Sequence, residues 1–161
     1  MRSISFASGF LLAVNVMTTI IFMIINHPYE NVYFNRLAGK DMQAVKMNFD
    51  LDYWGLSYRA ALEYIIQTDR RDQISVYAYD SDGPINLLIL PVEDRKRIIF
   101  VDLDQSPDYF ISRYLYHPKE YTSLEPDFTV NVGNARLIVV YKLDGLEVQN
   151  NGLETILIIK Q

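Results

Sequence analysis

The pattern of hydrophobic and polar residues along this chain begins with one long apolar segment. Residues 3–26 carry no charge. At about 1.5 Å per residue, a helix of that length crosses a hydrocarbon core of roughly 30 Å. We expect a retained transmembrane helix from Ile4 to Asn26. The alternatives are a cleaved signal peptide, which is shorter and ends in a small-x-small site, and the core helix of a soluble domain.

A second pattern, with the helical period, follows a predicted short strand at residues 48–52. Gly55 is expected to make the turn between the two, and Ser57 to cap the helix. The apolar positions of this helix form one face, which we expect to be buried: Tyr58, Ala61, Leu62, Ile65 and Ile66. The polar positions are predicted to face water: Arg59, Glu63, Gln67 and Asp69.

The remaining segments indicate strands and one short helix. Runs rich in β-branched and aromatic residues predict strands at 74–79, 98–103, 109–115, 127–132 and 135–143. A short helix is expected over 85–90 with Pro84 at its first position, followed by a charged loop at 93–97. Gly133-Asn134 predicts a hairpin, and a second one is predicted for residues 146–160. The fold class is therefore α/β, a small layered domain with a mixed sheet and an antiparallel hairpin edge.

The same patterns divide the chain into three parts. Residues 1–27 are predicted to be a transmembrane anchor, 28–47 an interfacial connector and 48–161 the α/β domain. Pro28 is expected to end the anchor helix, because a proline disfavours the helical conformation of the residue before it. The connector begins with Tyr29 and continues with Tyr33 and Phe34. Aromatic residues at that place are typical of the membrane–water boundary.

Composition and charge exclude several classes of protein. The chain has no cysteine, which excludes disulfides, thiol catalysis and thiolate metal sites. The net charge is −5, and a nucleic-acid surface needs clustered positive charge, so nucleic acid is not expected as a partner. Cations occur on both sides of the apolar run, Arg2 before it and Arg36, Lys40 and Lys46 after it. Charge alone therefore leaves the orientation in the membrane open.

Three Asp-x-Asp pairs are the first candidates for chemistry. They are Asp50/Asp52, Asp80/Asp82 and Asp102/Asp104, each near the end of a predicted strand. Paired carboxylates can hold Mg²⁺ or Mn²⁺ against a diphosphate, but aspartates at such places also cap helices, and capping or solvation is the stronger interpretation. The chain has no phosphate-binding glycine loop and no Ser-His-Asp arrangement. Neither a metal site nor a cofactor is predicted.

A second candidate is an aromatic cluster with one carboxylate. Asp52, Tyr53, Trp54 and Tyr58 together could form a platform that stacks on a sugar ring, since aromatic faces and a carboxylate suit pyranose C–H and O–H groups. The other interpretation places Trp54 and Tyr58 in the core, where they would hold the helix against the sheet. That second interpretation is the favoured one.

Three stretches carry a resemblance to a known family: HPYENVYFN at 27–35, FDLDYWGLSYRAALEYI at 49–65 and ARLIVVYKL at 135–143. They resemble the C-terminal end of bacterial GT-C type glycosyltransferases. These enzymes span the membrane many times, use phospholipid-carrier sugars and are related to dolichyl-phosphate-mannose protein mannosyltransferases. In that family a last transmembrane helix leads into a small extracytoplasmic α/β domain with an Asp-Tyr-Trp-Gly-x-Ser-Tyr motif. The matching motif here runs from Asp52 to Tyr58.

The resemblance implies a location and a role. The catalytic acidic residues of that family lie on a loop between early transmembrane helices, which this chain does not contain, so no catalytic residue is carried over. The implied role is a membrane-anchored accessory domain, on the outer face of a bacterial cytoplasmic membrane, that is not catalytic alone. Its implied partners are the lipid bilayer and a multi-spanning glycosyltransferase core or a polyprenyl-phosphate sugar. The candidate contact residues are His27, Tyr29, Asn35, Asp52, Tyr53, Trp54 and Tyr58.

Two alternatives remain beside this role. One is a stand-alone bitopic protein, with a single membrane span, whose domain binds a glycan or another protein. The other is a small metal-dependent nucleotide-sugar transferase that uses the pair Asp80/Asp82 or the pair Asp102/Asp104.

Overall fold

The computed structural model describes residues 2–121, 124–143, 147–150 and 155–158. The helices are α1 Arg2–Ile25, α2 Met42–Lys46, α3 Ser57–Thr68, α4 Asp82–Leu87 and α5 Val92–Arg95, with 3₁₀ turns at Glu30–Val32 and Leu103–Gln105. The strands are β1 Ile74–Ala78, β2 Ile98–Phe100, β3 Tyr109–Ser112, β4 Phe128–Val132, β5 Ala135–Lys142, β6 Glu147–Asn150 and β7 Thr155–Ile158. An α/β domain thus follows one long N-terminal helix.

The main sheet has five strands in the order β2-β1-β3-β5-β4. Strand β1 pairs in parallel with both β2 and β3, whereas β5 pairs antiparallel with β3 and β4. The mixed sheet with an antiparallel hairpin edge is therefore confirmed. The second predicted hairpin is present as β6 paired antiparallel with β7, and its connecting residues 151–154 lie outside the described residues.

Helix α3 packs on one face of this sheet, as its pattern predicts. All five residues of its apolar face are buried, and they contact inward-facing side chains of the strands: Ile74, Val76, Tyr109, Ile111, Ile138 and Val140. The opposite face of the sheet carries an aromatic cluster built around Phe110 and Tyr141. Because side chains alternate along a strand, Phe110 lies on one face and its neighbours in β3 lie on the other.

Helix α1 meets the domain near its C-terminal end. Phe22 packs against a third cluster, which contains Val32 and Val45 of residues 28–47 together with Leu137 of β5. Among the described residues, α1 is the one helix long and apolar enough to cross a membrane, with a candidate span at Ala7–Ile25 that is not buried by the domain. The connector thus supplies core residues at the place where α1 joins the domain.

Several local predictions are wrong. Residues 48–52 form turns instead of a strand. Helix α4 begins at Asp82, two residues before Pro84, and α5 occupies part of the predicted charged loop. Helix α1, in contrast, covers the predicted anchor and ends at Ile25, one residue before the predicted end at Asn26. Asp69 is buried instead of facing water, because its carboxylate accepts hydrogen bonds from the Arg71 side chain.

Candidate functional site

The loop between α2 and α3, residues 47–56, is the candidate site, and we call it the aromatic loop. It contains Phe49, Tyr53 and Trp54 together with two carboxylates, Asp50 and Asp52. It has no regular secondary structure. Its conformation must therefore be stabilised by side-chain contacts, and one buried arginine provides most of this stabilisation.

Arg113, directly after β3, is almost completely buried beneath the aromatic loop. Its Nη1 donates to the Asp52 carbonyl at 2.7 Å and to the Asp50 carboxylate at 3.1 Å. Its Nε and Nη2 reach the carboxylates of Asp80 and Asp82, at 3.0 and 2.8 Å. One guanidinium group thus joins the aromatic loop to the residues around the start of α4, which follows β1.

The three aspartates around Arg113 come from two of the three Asp-x-Asp pairs. Burial raises the pKa of Asp80, and the nearby Arg113 acts in the opposite direction. Burial by itself would lower the pKa of Arg113, but the carboxylates of Asp80, Asp50 and Asp82 outweigh it and raise that pKa. The third pair has a separate role, since Asp102 caps the 3₁₀ turn Leu103–Gln105.

Asp52 holds the N-terminus of α3. Its carboxylate accepts hydrogen bonds from the backbone N–H groups of Leu56 and Ser57, at 3.0 and 2.9 Å, and from the Ser57 hydroxyl at 2.5 Å. Ser57 is therefore not the N-cap of α3, and that prediction is wrong. Leu56 occupies the cap position, and the Asp52 carboxylate accepts the hydrogen bonds from the amides at the start of α3.

Gly55 makes the turn between the loop and α3, as predicted. Its φ of +64° lies in the left-handed region that side chains with a Cβ disfavour. A Cβ at this position would also lie 3.1 Å from the Asp82 Cβ and 3.3 Å from the Asn86 side chain. The loop therefore passes very close to α4 at Gly55.

The aromatic residues of the motif separate into an exposed pair and a buried one. Tyr58 is completely buried in α3, so its predicted place in the core is confirmed. Trp54, by contrast, is 70% exposed, and its predicted place in the core is wrong. The side chain of Tyr53 is 66% exposed, and its ring meets the Trp54 ring edge to face with centroids 5.1 Å apart. Asp52 is buried beneath them.

An open groove of about 380 Å³ lies beside Tyr53. Its walls are the first half of the aromatic loop, with Phe49 and Asp50, and the segment after Arg113, with Tyr114 and Tyr116. Tyr114 and Tyr116 both have positive φ, 64° and 59°. Non-glycine residues in that region are uncommon and occur where surrounding structure requires them.

Lys46 forms the buried end of this groove. Its Nζ lies 3.2 Å from the centroid of the Tyr114 ring and 2.8 Å from a Glu120 oxygen. The other Glu120 oxygen accepts hydrogen bonds from the Tyr114 hydroxyl and from Arg136. Burial lowers the pKa of Lys46, which Glu120 partly offsets, and burial together with the bond to Glu120 raises the pKa of Tyr114. These groups fix the groove wall.

Of the other predicted contact residues, His27 and Asn35 are exposed outside the aromatic loop, whereas Tyr29 packs against a cluster that contains Leu51 of the loop. His27 is exposed and contacts Glu30 through its ring nitrogen. Tyr29 belongs to the cluster where α1 joins the domain. Asn35 is exposed, and its side-chain oxygen accepts a hydrogen bond from the Leu37 backbone at 3.0 Å. The seven predicted residues therefore do not form one site.

Arg113 was not predicted, although one signal in the sequence points to it. It is a charged residue inside a stretch, YFISRYL, that is otherwise typical of a buried strand. A buried arginine needs carboxylate partners, and its partners Asp50, Asp80 and Asp82 lie far away in the sequence. In the part of the chain that the structure describes, no group of three or more His, Cys, Asp or Glu residues is placed to hold a metal ion.

Comparison with known proteins gives no relative. No family model, no curated protein and no solved structure matches this chain.

Proposed function

We propose that this protein is a membrane-anchored accessory domain of a lipid-linked-sugar glycosyltransferase system and that its aromatic loop binds the glycan. In this proposal α1 crosses the cytoplasmic membrane of a bacterium once, and the domain lies on the extracytoplasmic side. The resemblance of the HPY and DYWGLSY segments to GT-C type transferases supports the system. The single observation that carries the binding role is the exposed pair Tyr53 and Trp54.

Exposure of the Tyr53 and Trp54 rings to water is unfavourable, and folding alone does not compensate for it. Large apolar side chains are normally removed from water, and clustered exposed ones mark interaction sites. Arg113 and Asp52 hold the loop, and Gly55 bends it. The loop is therefore preorganised, which lowers the entropic cost of binding a partner.

The adjacent groove has the chemistry of a carbohydrate site. The rings of Tyr53 and Tyr116 offer apolar faces to sugar C–H groups. Asp50, at the same groove, is half-buried and can accept hydrogen bonds from sugar hydroxyls. An aromatic face next to a few fixed polar groups is the usual composition of a small-molecule site.

A protein-binding role is the second candidate, and a specific surface favours it. Exposed apolar side chains continue from the aromatic loop along α4 and α5: Trp54, Leu56, Ile85, Leu88, Ile89 and Val92. Gly55 lies against α4, so these residues belong to one side of the domain. This surface suits contact with another protein, such as the membrane core of a transferase.

The metal-dependent transferase is the weakest of the alternatives. The carboxylates of Asp80 and Asp82 already bind the Arg113 guanidinium at 3.0 and 2.8 Å. A divalent cation between them would have to displace a buried arginine. Asp102 is engaged as the cap of a 3₁₀ turn.

Intrinsic fluorescence tests the glycan proposal directly, because Trp54 is the chain's single tryptophan. The full chain in phospholipid nanodiscs is titrated with a polyprenyl-phosphate sugar and, separately, with polyprenyl phosphate that carries no sugar. We expect saturable changes in Trp54 emission with the sugar-bearing lipid. In Tyr53→Ala the affinity should fall about tenfold, which corresponds to about 1.4 kcal/mol.

A matched control is Ile85→Ala, which truncates a similarly exposed side chain outside the groove. It should bind the sugar-bearing lipid as the wild type does. Equal affinity for the lipid with and without sugar would contradict glycan binding. Loss of binding in Ile85→Ala but not in Tyr53→Ala would move the contact to the α4 surface and favour the protein-binding role.

A further inference from the structure

A short segment of the connector runs back along the apolar helix. Residues 33–37, which we call the hook, lie beside α1 instead of leading away from it. The Tyr33 hydroxyl accepts a hydrogen bond from the Thr19 hydroxyl at 3.1 Å. The Tyr33 ring meets the Phe22 ring edge to face at 5.1 Å. The hook is therefore attached to the body of α1, six residues before that helix ends.

The hook and α1 enclose an open groove of about 660 Å³ that is mostly apolar. Five residues line it from α1, namely Leu11, Val14, Asn15, Thr18 and Phe22, and the hook lines it from the other side. All five helical residues belong to the candidate span Ala7–Ile25. Where this span is embedded in a membrane, the groove is embedded with it and is open to the acyl chains of the surrounding lipid.

The tip of the hook has the composition of a membrane-inserted segment. Leu37 is 95% exposed, the highest exposure among the large apolar side chains in the described residues. Arg36, beside it, is exposed and has no ion-pair partner in the part of the chain that the structure describes. An apolar side chain next to a long cationic one suits the region where acyl chains meet phosphates.

The helix length agrees with this placement. The candidate span Ala7–Ile25 rises about 27 Å, close to the roughly 30 Å of a hydrocarbon core. Tyr33 bonds to Thr19, which lies inside this span, so the hook reaches from the membrane boundary toward the hydrocarbon.

We propose that the hook inserts into the membrane beside α1 and that the groove between them binds a bilayer phospholipid. One acyl chain occupies the groove, Leu37 lies in the hydrocarbon, and the Arg36 guanidinium binds the lipid phosphate. This inference rests on the membrane anchoring in the proposed function and is independent of glycan binding at the aromatic loop.

Spin labels on single cysteines test the depth of the hook, since the chain has no cysteine of its own. The full chain carrying Leu37→Cys, labelled with a nitroxide, is reconstituted in phosphatidylglycerol vesicles. We expect strong collision with O₂ and weak collision with a water-soluble nickel chelate. Leu88→Cys is the matched control, an exposed leucine directly after α4, and should show the reverse. Equal access of nickel to positions 37 and 88 would overturn the insertion.

A photoactivatable phospholipid, with a diazirine on its acyl chain, tests the occupant. We expect crosslinks to α1 and the hook in the full chain, reduced at least threefold in Arg36→Gln and unchanged in Arg95→Gln on α5. Lipid adducts that are absent from α1 and the hook, or equally frequent in Arg36→Gln and the wild type, would overturn the proposal. Extraction with alkaline carbonate separates the two failures. A chain that is released refutes the anchor itself, whereas a retained chain with an aqueous Leu37 refutes the hook alone.

Discussion

At the scale of single residues, Arg113 has the greatest influence on the candidate site. Its guanidinium group is surrounded by three carboxylates and one carbonyl oxygen, all within 3.1 Å. A buried ion pair is costly to form because both charges leave water, but it is much more costly to break. The aromatic loop depends on this one side chain because its backbone forms no helix or strand that would stabilise it.

Replacing Arg113 by methionine should destabilise the domain strongly. Arg113→Met keeps the length of the side chain but leaves Asp50, Asp80 and Asp82 without their cation. We expect a loss of about 3–5 kcal/mol in the free energy of unfolding, the usual cost of breaking a buried pair. Urea unfolding of the full chain in detergent micelles, followed by circular dichroism, measures it.

The matched control for Arg113 is Arg59→Met in α3. Arg59 is exposed and pairs with Glu63 one turn away, a kind of contact that contributes little. Its unfolding midpoint should equal that of the wild type. Similar midpoints for Arg113→Met and the wild type would show that the aspartates find other partners, and that the loop does not depend on Arg113.

Residue-scale predictions from the sequence were right for the apolar face of α3 and for the turn at Gly55, and wrong for Asp69 and Trp54. The buried face of α3 followed from spacing alone. Trp54 has no such spacing, and the chain's single tryptophan was predicted in the core although it is exposed. The role of Arg113 depends on carboxylates that lie up to 63 residues away in the sequence. Spacing within a window cannot reveal such pairs.

At the scale of elements, the α/β order and the hairpins were predictable, and the turns between them were less so. Residues 48–52, NFDLD, alternate apolar and polar side chains as a strand does. In the structure Leu51 is buried. The Asp50 carboxylate binds Arg113, and the Asp52 carboxylate caps α3. The polar residues of this alternating pattern therefore cap a helix and form an ion pair, and residues 48–52 do not pair with a strand.

The C-terminal end of α3 is joined to the sheet by a second charged cluster that makes stability depend on pH. Arg71 binds Asp69, at the end of α3, and Asp108, next to β3, at 2.6 and 2.7 Å. Hydrogen bonds from Arg71 hold the pKa of Asp69 far below its ordinary value. Burial would raise the pKa of Asp108, but hydrogen bonds from Ser75 and Arg71 outweigh it and lower that pKa.

A depressed pKa in the folded state gives stability that is complete above the unfolded value and is lost as pH falls below it. For aspartate that unfolded value is about 3.9. We therefore expect the melting temperature of the full chain to fall between about pH 4 and pH 2. Asp69→Asn should flatten this fall, whereas Asp72→Asn, an exposed neighbour, should leave it unchanged. Parallel curves for Asp69→Asn and the wild type would contradict the role of Asp69.

At the scale of the whole molecule, an apolar helix and an acidic domain are joined through a small contact. Phe22 and Thr19 connect α1 to the connector, and Val32 and Val45 connect the connector to the sheet. The sequence predicted both large parts. It could not predict that residues 33–37 run back along α1, because that path depends on contacts between Tyr33 and two residues of the helix.

The orientation in the membrane is the remaining question at this scale, and the structure alters the count of charges that bears on it. Cations near a span favour the cytoplasmic side. Lys46 is buried and paired with Glu120, so it contributes little to that rule. Arg36 and Lys40 then remain after the span and Arg2 before it, a difference of one charge that does not set the orientation. The proposed function has the domain outside the cytoplasm, and this orientation is therefore a prediction to be tested.

Labelling of a single introduced cysteine tests this orientation in bacterial spheroplasts that express the full chain. Lys119→Cys lies on the exposed surface of the domain, and the wild type has no cysteine to compete. We expect a membrane-impermeant maleimide to label it before permeabilisation, while Leu11→Cys within the span stays unlabelled. Labelling of Lys119→Cys only after permeabilisation would place the domain in the cytoplasm. The aromatic loop would then face away from extracytoplasmic glycans, and the proposed accessory role would fail with it.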